Sequence, residues 1–458
     1  REGGPPPFLS LSQNGRGAPS PDPACERNGG ASRMSNQRRG GLAVAVIGGG
    51  VVGLTAALEC QRAGHEVILI DPDRPGGRQA ASYGNGTWIN PGGVMPLSVP
   101  GLWREVPGYL PDRSSPFAIR WPYLPLLAPW LVRFVLAGST WEKVEACAQA
   151  RHLLNRGAVE AHAAYAEEAG VGHLVRRRGT WFLYRDRGEY EAEARGWAIR
   201  RRLGIPFTEI GEEELHALEP ALGPRYRFAV RMDEAGNFTD PGAYCTALAA
   251  LLEKRGARRA RARVTGFAVE GGRLRAVNTS RGAIACDRAL VCAGAQSRAL
   301  ARAAGDAVPL ISERGYHVVI PAPRFEVNLS AIPLDGKMAV TMTPAGLRLA
   351  GQVELASLAA APDWRRADIL IDHVERMFPA LGRVDRAKVD RWMGHRPSTP
   401  DGLPCIGPSS ASPDILYGFG HAHVGMIEAP ATARILAALA GGERPEVDPA
   451  PFSARRFR

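Results

Sequence analysis

The strongest constraint on the fold of this chain is a glycine-rich turn between an apolar strand and an apolar helix. The turn reads G-G-G-V-V-G and follows the β-branched run Leu42 to Ile47. In a G-x-G-x-x-G turn, the first glycine permits the sharp bend and the second lets the backbone approach a pyrophosphate, while the third lets helix and strand pack closely. The turn consists of Gly48, Gly49, Gly50, Val51, Val52 and Gly53.

The residues after the turn complete a βαβ unit. An apolar helix is predicted from Val51 to Ala63, and a second strand from Glu66 to Ile70 ends at Asp71. The N-terminus of such a helix offers free N–H groups to a phosphate, and an acid at the end of the second strand accepts hydrogen bonds from a ribose. The sequence therefore predicts a bound dinucleotide.

Three features favour FAD over a nicotinamide cofactor. A second nucleotide-domain signature lies at Leu290 to Ala295, far along the chain from the first. A second glycine-rich segment, Gly394 to Gly425, precedes the last predicted helix. No second complete G-x-G-x-x-G unit is present to hold a nicotinamide cofactor.

Charge and cysteine content argue against several other classes of protein. The 458 residues carry a net charge of +11, but the basic residues are dispersed, as at Arg200, Arg201 and Arg202, which predicts a solvated basic face. We recognise no nucleic-acid-binding module, so no nucleic-acid partner is expected. The seven cysteines form no C-x-x-C pair, so neither a disulfide framework nor a metal site is expected, and a reducing, cytoplasmic compartment fits best.

Two segments differ in character from the rest. Residues 1–40 are rich in Gly, Pro, Ser, Asn and Arg, which predicts a disordered tail. The stretch Trp121 to Leu136 is aromatic and leucine-rich but is interrupted by prolines and one arginine, and it is too short to span a membrane. It is expected to form a packed helix, with peripheral contact with the inner membrane as the alternative.

Periodicity and capping residues predict further elements between these landmarks. The Asp240-Pro241 pair is a typical helix start, because an acidic N-cap precedes proline at the first helical position. The predicted elements are helices over Val144 to Gly170, Glu189 to Leu203, Asp240 to Lys254, Trp364 to Phe378 and Ala429 to Ala440, and strands over Thr180 to Tyr184 and Ala289 to Cys292.

A longer motif makes the sequence recognisable. The stretch from Trp392 to Gly407 reads WMGHRPSTPDGLPCIG. It resembles the G-x-R-P-x-T-P-D-G-x-P-x-I-G segment of the FAD-dependent D-amino-acid dehydrogenase group, within the glycine oxidase and D-amino-acid oxidase superfamily. The segments Ser82 to Gly86, Arg314 to His317 and Gly418 to His421 are also similar to that group, and the resemblance extends from Leu42 to the C-terminal region.

The resemblance implies an α/β fold with an α+β substrate domain. A Rossmann-like FAD-binding domain is built from three segments, and an antiparallel-sheet substrate domain is inserted between them. The expected boundaries are FAD-binding segments at 41–98, 233–308 and 389–445, substrate-domain parts at 99–232 and 309–388, and a C-terminal tail at 446–458.

The same resemblance implies which residues contact the cofactor. Besides the G-x-G-x-x-G turn, these include the loops beside the flavin ring and the start of the last helix, just after Gly425. The remaining expected FAD contacts are Asp71, Ser82, Asn85, Gly86, Val264, Ala293, Gly294, Gly394, Gly420, His421 and Gly425. Because no cysteine matches a flavin attachment position, noncovalent FAD is expected.

The implied reaction is dehydrogenation of a D-amino or D-imino acid, with hydride passing from Cα to flavin N5 and the imine then hydrolysed or released. Arg396 is the candidate carboxylate clamp, because guanidinium binds a carboxylate through two parallel hydrogen bonds; a structural pair with Asp401 is the alternative. Tyr316 and His317 are candidates for carboxylate binding or amine deprotonation, and His421 is a further candidate near the flavin.

The substrate and electron acceptor stay open at this point. The Arg314 to His317 segment departs from that of the commonest D-alanine-type enzymes, so D-proline or D-hydroxyproline is a further option. The acceptor is a quinone or carrier in a dehydrogenase. The alternatives are a sarcosine- or glycine-type oxidase that uses oxygen, and a noncatalytic flavin protein that transfers electrons.

Overall fold

The computed structural model describes residues 41–102, 115–321 and 323–458. The predicted disordered tail, residues 1–40, lies outside the described residues, as does part of the first predicted substrate-domain segment. The strands are β1 Ala43–Ile47, β2 Glu66–Ile70, β3 Trp88–Ile89, β4 Phe117–Ile119, β5 Val175–Arg176, β6 Thr180–Tyr184, β7 Phe207–Ile210, β8 Phe228–Met232, β9 Gly236–Phe238, β10 Arg258–Ala260, β11 Val264–Glu270, β12 Arg273–Thr279, β13 Gly282–Ala285, β14 Arg288–Val291, β15 Ile311–Ile320, β16 Ala331–Pro333, β17 Ala339–Thr343, β18 Gly346–Leu355, β19 Asp390–Ser398, β20 Cys405–Pro408 and β21 Ile415–Phe419.

The α-helices carry labels of their own in chain order. They are α1 Val51–Arg62, α2 Leu124–Ala137, α3 Trp141–Asn155, α4 Ala158–Glu168, α5 Arg187–Ala192, α6 Ala194–Arg202, α7 Glu212–Leu218, α8 Pro241–Lys254, α9 Ser297–Ala303, α10 Arg365–Met377 and α11 Gly425–Gly441.

A six-stranded sheet forms the nucleotide-binding half of the fold. Its order is β10-β2-β1-β14-β21-β20, and every neighbouring pair is parallel except β20 and β21. The strands come from three separated parts of the chain. Its central strands are near-continuous apolar runs because both faces are covered, one by helices and the other by α9 and the three-stranded sheet β11-β12-β13. The helix α1 packs against α11 and α8 on one such face.

A larger, mostly antiparallel sheet forms the other half. Its order is β19-β15-β18-β17-β16-β6-β8-β7, with β4 paired to the end of β18. The helix α10 covers one face of β15 and β18, where the core cluster includes Leu370, Val374 and Leu349. This arrangement confirms the predicted α/β class with its second, antiparallel sheet. The strand β19 belongs to this larger sheet, although the expected boundaries assign it to the third FAD-binding segment.

Several predicted helices differ in their bounds from those in the structure. The predicted helix over Val144 to Gly170 is two helices, α3 and α4, separated at Gly157, whose φ is +65°. The last helix begins at Gly425, four residues before the predicted Ala429, and continues past Pro430 within its second turn. Pro430 has no N–H to donate to the Met426 carbonyl, and that carbonyl accepts a hydrogen bond from the ring of His162 instead.

The last residues of the chain pack against the nucleotide-binding half. Phe452 and Ala454 are buried, and the Nε of Arg456 lies 2.6 Å from the Oδ2 of Asp401. The expected C-terminal tail is therefore packed against the fold, and its Arg456 binds the turn that contains Asp401. We call these residues, 446–458, the C-terminal strap. Asp401 pairs with Arg456 and not with Arg396, contrary to the alternative role considered for Arg396.

The helix α2 covers one edge of the larger sheet. Leu127 and Trp130 face inward, whereas Leu126, Val132 and Leu136 on its other side are exposed. Among the described residues, no single helix is long and apolar enough to cross a membrane. One pair of helical segments, Trp121–Ala137 and Trp141–Glu168, passes the same test of length and composition together but is bent by 94°.

Candidate active site

The glycine-rich turn has the geometry that its sequence requires. Gly48 has a φ of +111°, and a Cβ there would lie 2.4 Å from the carbonyl oxygen of Cys292. A Cβ on Gly53 would lie 1.9 Å from the carbonyl oxygen of Gly48, so only glycine lets α1 approach the turn this closely. Around Gly50 the space is open apart from the hydroxyl of Ser82. The turn is therefore a cradle that side chains would fill.

Two predicted residues hold the turn through their side chains. The Asp71 carboxylate accepts a hydrogen bond from the Gly49 N–H at 2.6 Å, and the Ser82 hydroxyl accepts one from the Val51 N–H at 3.0 Å. Burial raises the pKa of Asp71, although the backbone donors oppose this. Both side chains lie in the wall of a cavity. Asp71 is predicted to bind a ribose there, and Ser82 is predicted to belong to the loop beside the flavin ring.

This cavity has a volume of about 1160 Å³ and extends from the glycine-rich turn to the larger sheet. Pockets for single drug-sized ligands have volumes of roughly 300–1,000 Å³, so this one has room for a dinucleotide and a small substrate. Buried polar atoms in its walls, Asn85 Oδ1 and Gln352 Nε2, have no partner among the described residues. The cradle, the volume and these unpaired atoms all fit FAD.

Most of the predicted cofactor contacts line this cavity. Gly53 and Gly420 do not, because Gly53 packs against the turn itself and Gly420 lies near Thr399. Those that line it are Gly48, Gly49, Gly50, Val51, Val52, Asp71, Ser82, Asn85, Gly86, Val264, Ala293, Gly294, Gly394, His421 and Gly425.

Arg396 lies at the end of the cavity formed by the larger sheet. Its Nη1 lies 3.2 Å from the Oε1 of Glu313 and donates to the carbonyl of Gln352 at 2.8 Å. The guanidinium lies across β15, where a Cβ on Gly315 would come within 2.3 Å of its Nη2. Gly315 therefore makes room for the Arg396 side chain, which sequence reasoning had not recognised.

Tyr316 lies on the other side of the sheet from the cavity. Residues along a strand alternate between faces, so Glu313, Gly315 and His317 share one face and Tyr316 points to the opposite one. There its hydroxyl donates to Glu354 and accepts from the Asp363 N–H, and burial raises its pKa. The structure does not bring Tyr316 to the site, so its placement does not support the predicted contact with substrate.

His317 faces the cavity side of β15 but is covered. Its ring stacks on Trp392 with centroids 4.9 Å apart, and its Nδ1 lies 3.2 Å from the guanidinium of Arg348. Burial and the Arg348 charge lower the pKa of His317 to about 2. The imidazole is therefore neutral, and its place among Trp392, Tyr83 and Arg348 is that of a packed core residue.

Two histidines precede the last helix, and only the first was predicted as a site residue. The Nε2 of His421 lies 3.0 Å from the Thr432 hydroxyl, and burial lowers its pKa to about 3. Ala422 has a φ of +47°, and beyond it His423 exposes its ring to the cavity. Desolvation and the nearby charges of Arg151 and Arg396 lower the pKa of His423 as well, so both rings are neutral donors or acceptors.

Gln352 and the aromatic side of α2 complete this end of the cavity. Gln352 has a φ of +60° and is buried, and its unpaired Nε2 lies in the cavity wall. Trp130 and Phe134 stack with centroids 5.1 Å apart and line the cavity together with Phe117. The sequence singled out none of these individually, because their position depends on sheet register and helix docking.

The six cysteines that the structure describes are all free thiols. Cys405 is buried and does not line the cavity, and the closest polar contact of its Sγ is Arg456. Among the described ranges, no group of three or more His, Cys, Asp or Glu side chains is arranged to hold a metal ion.

Comparison with known proteins agrees with the geometry. The DAO family model, described as FAD dependent oxidoreductase, matches residues 43–439. The chain is 48% identical over 418 residues to a D-amino-acid oxidase from Bradyrhizobium diazoefficiens, covering 91% of this chain and 99% of that protein. It is 30% identical to a D-amino acid dehydrogenase from Cereibacter sphaeroides, covering 91% and 95%.

Solved structures show the same fold at lower sequence identity. L-proline dehydrogenase from P. horikoshii is 21% identical with a TM-score of 0.69, covering 91% of this chain and 98% of that one. Glycine oxidase from Geobacillus kaustophilus is 19% identical with a TM-score of 0.69, covering 90% and 98%. The family model covers most of the chain and the cradle fits the cofactor, so the protein belongs to the DAO family of FAD-dependent oxidoreductases.

Proposed function

We propose that this enzyme oxidises a D-amino acid or a cyclic D-imino acid, such as D-proline or D-hydroxyproline, at the α-carbon. The imine product is then hydrolysed or released. The observation that carries the proposal is one continuous cavity that joins the FAD cradle to Arg396. The 48% identical relative named D-amino-acid oxidase supports the same substrate class and stereochemistry.

FAD is held without a covalent bond in this proposal. Gly50 and the first N–H groups of α1 bind the pyrophosphate, Asp71 binds a ribose, and Asn85 Oδ1 accepts a hydrogen bond from the cofactor. Bound FAD supplies a two-electron acceptor for the hydride that leaves the substrate α-carbon. The N-terminus of α11, at Gly425, faces the cavity and stabilises negative charge there through its helix dipole.

The residues at the sheet end of the cavity bind and orient the substrate. Arg396 holds the α-carboxylate, and two other groups that line the same cavity, Gln352 Nε2 and the neutral ring of His423, add hydrogen bonds to the substrate. Trp130 and Phe134 exclude water from the substrate side chain. His421, bonded to Thr432, orients the loop that carries His423. Tyr316 is no part of this proposal, and His317 acts only through packing.

We propose a quinone or carrier as the electron acceptor, and one observation favours oxygen as a second candidate. The relative with 48% identity is named an oxidase, whereas those near 30% identity are named dehydrogenases. Oxygen is therefore the second candidate to a quinone or carrier. A cytoplasmic location and peripheral membrane contact through α2 stay predictions.

The test is anaerobic reduction of the flavin in the purified holoenzyme, with D-alanine, D-proline, sarcosine and the L counterparts of the two chiral compounds. D compounds alone should bleach the flavin band, and hydrogen peroxide formed on admission of air would identify oxygen as the acceptor. Arg396→Met should lower kcat/KM by roughly a hundredfold, since a charge-assisted bidentate pair is lost.

The matched control is Arg391→Met on the same strand, whose guanidinium binds Asp368 outside the cavity. Its kcat/KM should stay close to that of the wild type. Bleaching by L compounds alone, or by none of the compounds, would contradict the proposed function.

A further inference from the structure

The cavity contains a buried carboxylate beside Arg396 that the proposed function leaves unused. Glu313 is 4% exposed and lies in the cavity wall. Its Oε1 is 3.2 Å from Arg396 Nη1, and its Oε2 accepts a hydrogen bond from the Ser398 hydroxyl at 2.9 Å. A buried carboxylate is costly unless it is paired, so a residue of this kind at a ligand cavity calls for an explanation.

The pair stands on neighbouring strands in direct cross-strand register. Glu313 of β15 is opposite Arg396 of β19, and Gly315 of β15 is opposite Gly394. The side chains of such a pair lie side by side on one face, about 4.5–5.5 Å apart at Cβ. The cavity therefore presents one positive and one negative group next to each other. The neighbouring cross-strand pair on this face consists of two glycines, so no side chain rises beside the two charges.

An α-amino acid carries the complementary arrangement. Its carboxylate and its ammonium are attached to a single carbon, so a receptor for the zwitterion needs opposite charges side by side. Arg396 alone would select any carboxylate, including those of hydroxy acids. Resting on the proposed function, we propose that Glu313 binds the substrate ammonium, and that the Glu313–Arg396 pair selects zwitterionic amino and imino acids over simple carboxylates.

The contacts of Glu313 are compatible with this role. An ammonium has three donors and a secondary ammonium has two, and each Glu313 oxygen has a second lone pair beyond its present bond. Ser398 fixes one oxygen and so restricts the carboxylate to one orientation. The substrate then lies over the pair, with its carboxylate on Arg396 and its ammonium on the remaining lone pairs of Glu313, so both of its own charges are paired.

A purely structural role for Glu313 predicts a different response to mutation. If Glu313 only orients Arg396, then neutralising it weakens every ligand that has a carboxylate. If Glu313 binds the ammonium, Glu313→Gln weakens amino acids alone. Carboxylates without an amino group should bind as well as before or more tightly, because Arg396 loses its internal competitor.

The experiment measures dissociation constants on the holoenzyme for matched pairs of ligands. The pairs are D-alanine with propionate, and D-proline with cyclopentanecarboxylate, which replaces the ring nitrogen by carbon. Anaerobic flavin reduction gives the constant for each amino or imino acid, and perturbation of the flavin absorbance gives it for each carboxylate. In Glu313→Gln, the constants for D-alanine and D-proline should rise by roughly tenfold or more, and those for the two carboxylates should not rise.

Two further variants keep the test decisive. Glu313→Asp retains the charge with a shorter reach and should give an intermediate loss for amino acids alone, which covers the case in which the glutamine variant fails to fold. Asp390→Asn is the control: it breaks an exposed pair between Asp390 and Arg78, on the strand β19 that also carries Arg396. It should change the dissociation constants of neither the amino acids nor the carboxylates. Equal weakening of both ligand classes, or unchanged amino-acid binding, would overturn the proposal. A wild-type flavin that no amino acid reduces would instead count against the proposed function.

Discussion

The glutamate Glu428 in the first turn of α11 gives the sharpest prediction about stability. Its side chain is fully buried, and neither carboxylate oxygen has a hydrogen-bond partner among the residues that the structure describes. Its nearest cation is Arg151, whose Nε lies 3.8 Å from Oε1. Burial raises the pKa of Glu428 from 4.5 to about 8, since the loss of solvation outweighs the attraction of Arg151. Glu428 is therefore protonated in the native state at neutral pH.

The sign of the pH dependence follows from proton binding. Between about pH 4.5 and pH 8, the native state keeps a proton that the unfolded state releases, so stability falls as the pH rises. Each pH unit in this window costs at most about 1.36 kcal/mol, which gives a ceiling of about 3 kcal/mol between pH 5 and pH 7. Glu428→Gln removes the titration but keeps the shape of the protonated side chain. It should therefore match the wild type near pH 5 and exceed it in stability as the pH rises.

The assay is thermal unfolding of both proteins in excess FAD across this pH range. For a chain of this length, 1 kcal/mol corresponds to roughly 1 °C in Tm, so the variant should gain up to about 3 °C on the wild type between pH 5 and pH 7. Glu160→Gln, on the exposed side of α4, is the control and should follow the wild-type curve. Parallel curves for Glu428→Gln and the wild type would refute the reasoning, because Glu428 would then be ionised and paired with Arg151.

Two other perturbations test the cradle and the C-terminal strap. Gly53→Ala should weaken FAD binding by roughly tenfold or more, because its Cβ would meet the Gly48 carbonyl oxygen at 1.9 Å. Flavin fluorescence titration measures the affinity, and Gly211→Ala, where a Cβ would enter open space, is the control. Equal FAD affinities of the two variants would contradict the close approach of α1 to the turn. Arg456→Met should lower the free energy of unfolding by roughly 1–3 kcal/mol, since it breaks a partly buried pair with Asp401 and leaves several carbonyls unpaired. The exposed neighbour Arg455→Met should have little effect, and similar losses in both variants would show that the ion pair contributes nothing specific.

Elements with strong local signals could be predicted closely from the sequence. The strand Thr180–Tyr184 has the predicted bounds, and α8 begins at Pro241 after the predicted Asp240 cap, whose side chain accepts from the Ala243 N–H. The turn at Gly48 was recognisable because its glycines are required by steric contacts that the motif itself defines. These signals are local in the chain, and local rules of capping, turn geometry and apolar runs are sufficient for them.

The helical arginines illustrate where local reasoning ends. Arg200, Arg201 and Arg202 were predicted to form a solvated basic face. In α6, Arg201 and Arg202 do pair with surface glutamates, but Arg200 turns inward over the Trp197 ring at 4.5 Å and lines the cavity. Consecutive helical residues point in directions about 100° apart, so a run of identical residues on a docked helix cannot share one environment.

The substrate end of the site depends on the register between strands that are far apart in the chain, and local sequence patterns do not determine that register. Tyr316 and His317 are adjacent in a strand, so they could never face the same ligand, yet the choice of face required knowing which side α10 covers. The approach of Glu313 and Arg396 requires β15 and β19 to pair across 83 residues in one register, and a shift by one residue would turn one of the two charges to the opposite face. Gln352 reaches the cavity through an irregularity between β15 and β18 beside Tyr316. Residue types therefore predicted the carboxylate clamp Arg396. Its carboxylate partner Glu313, on which the proposed selection of a zwitterion depends, is brought beside it only by the pairing of β15 with β19.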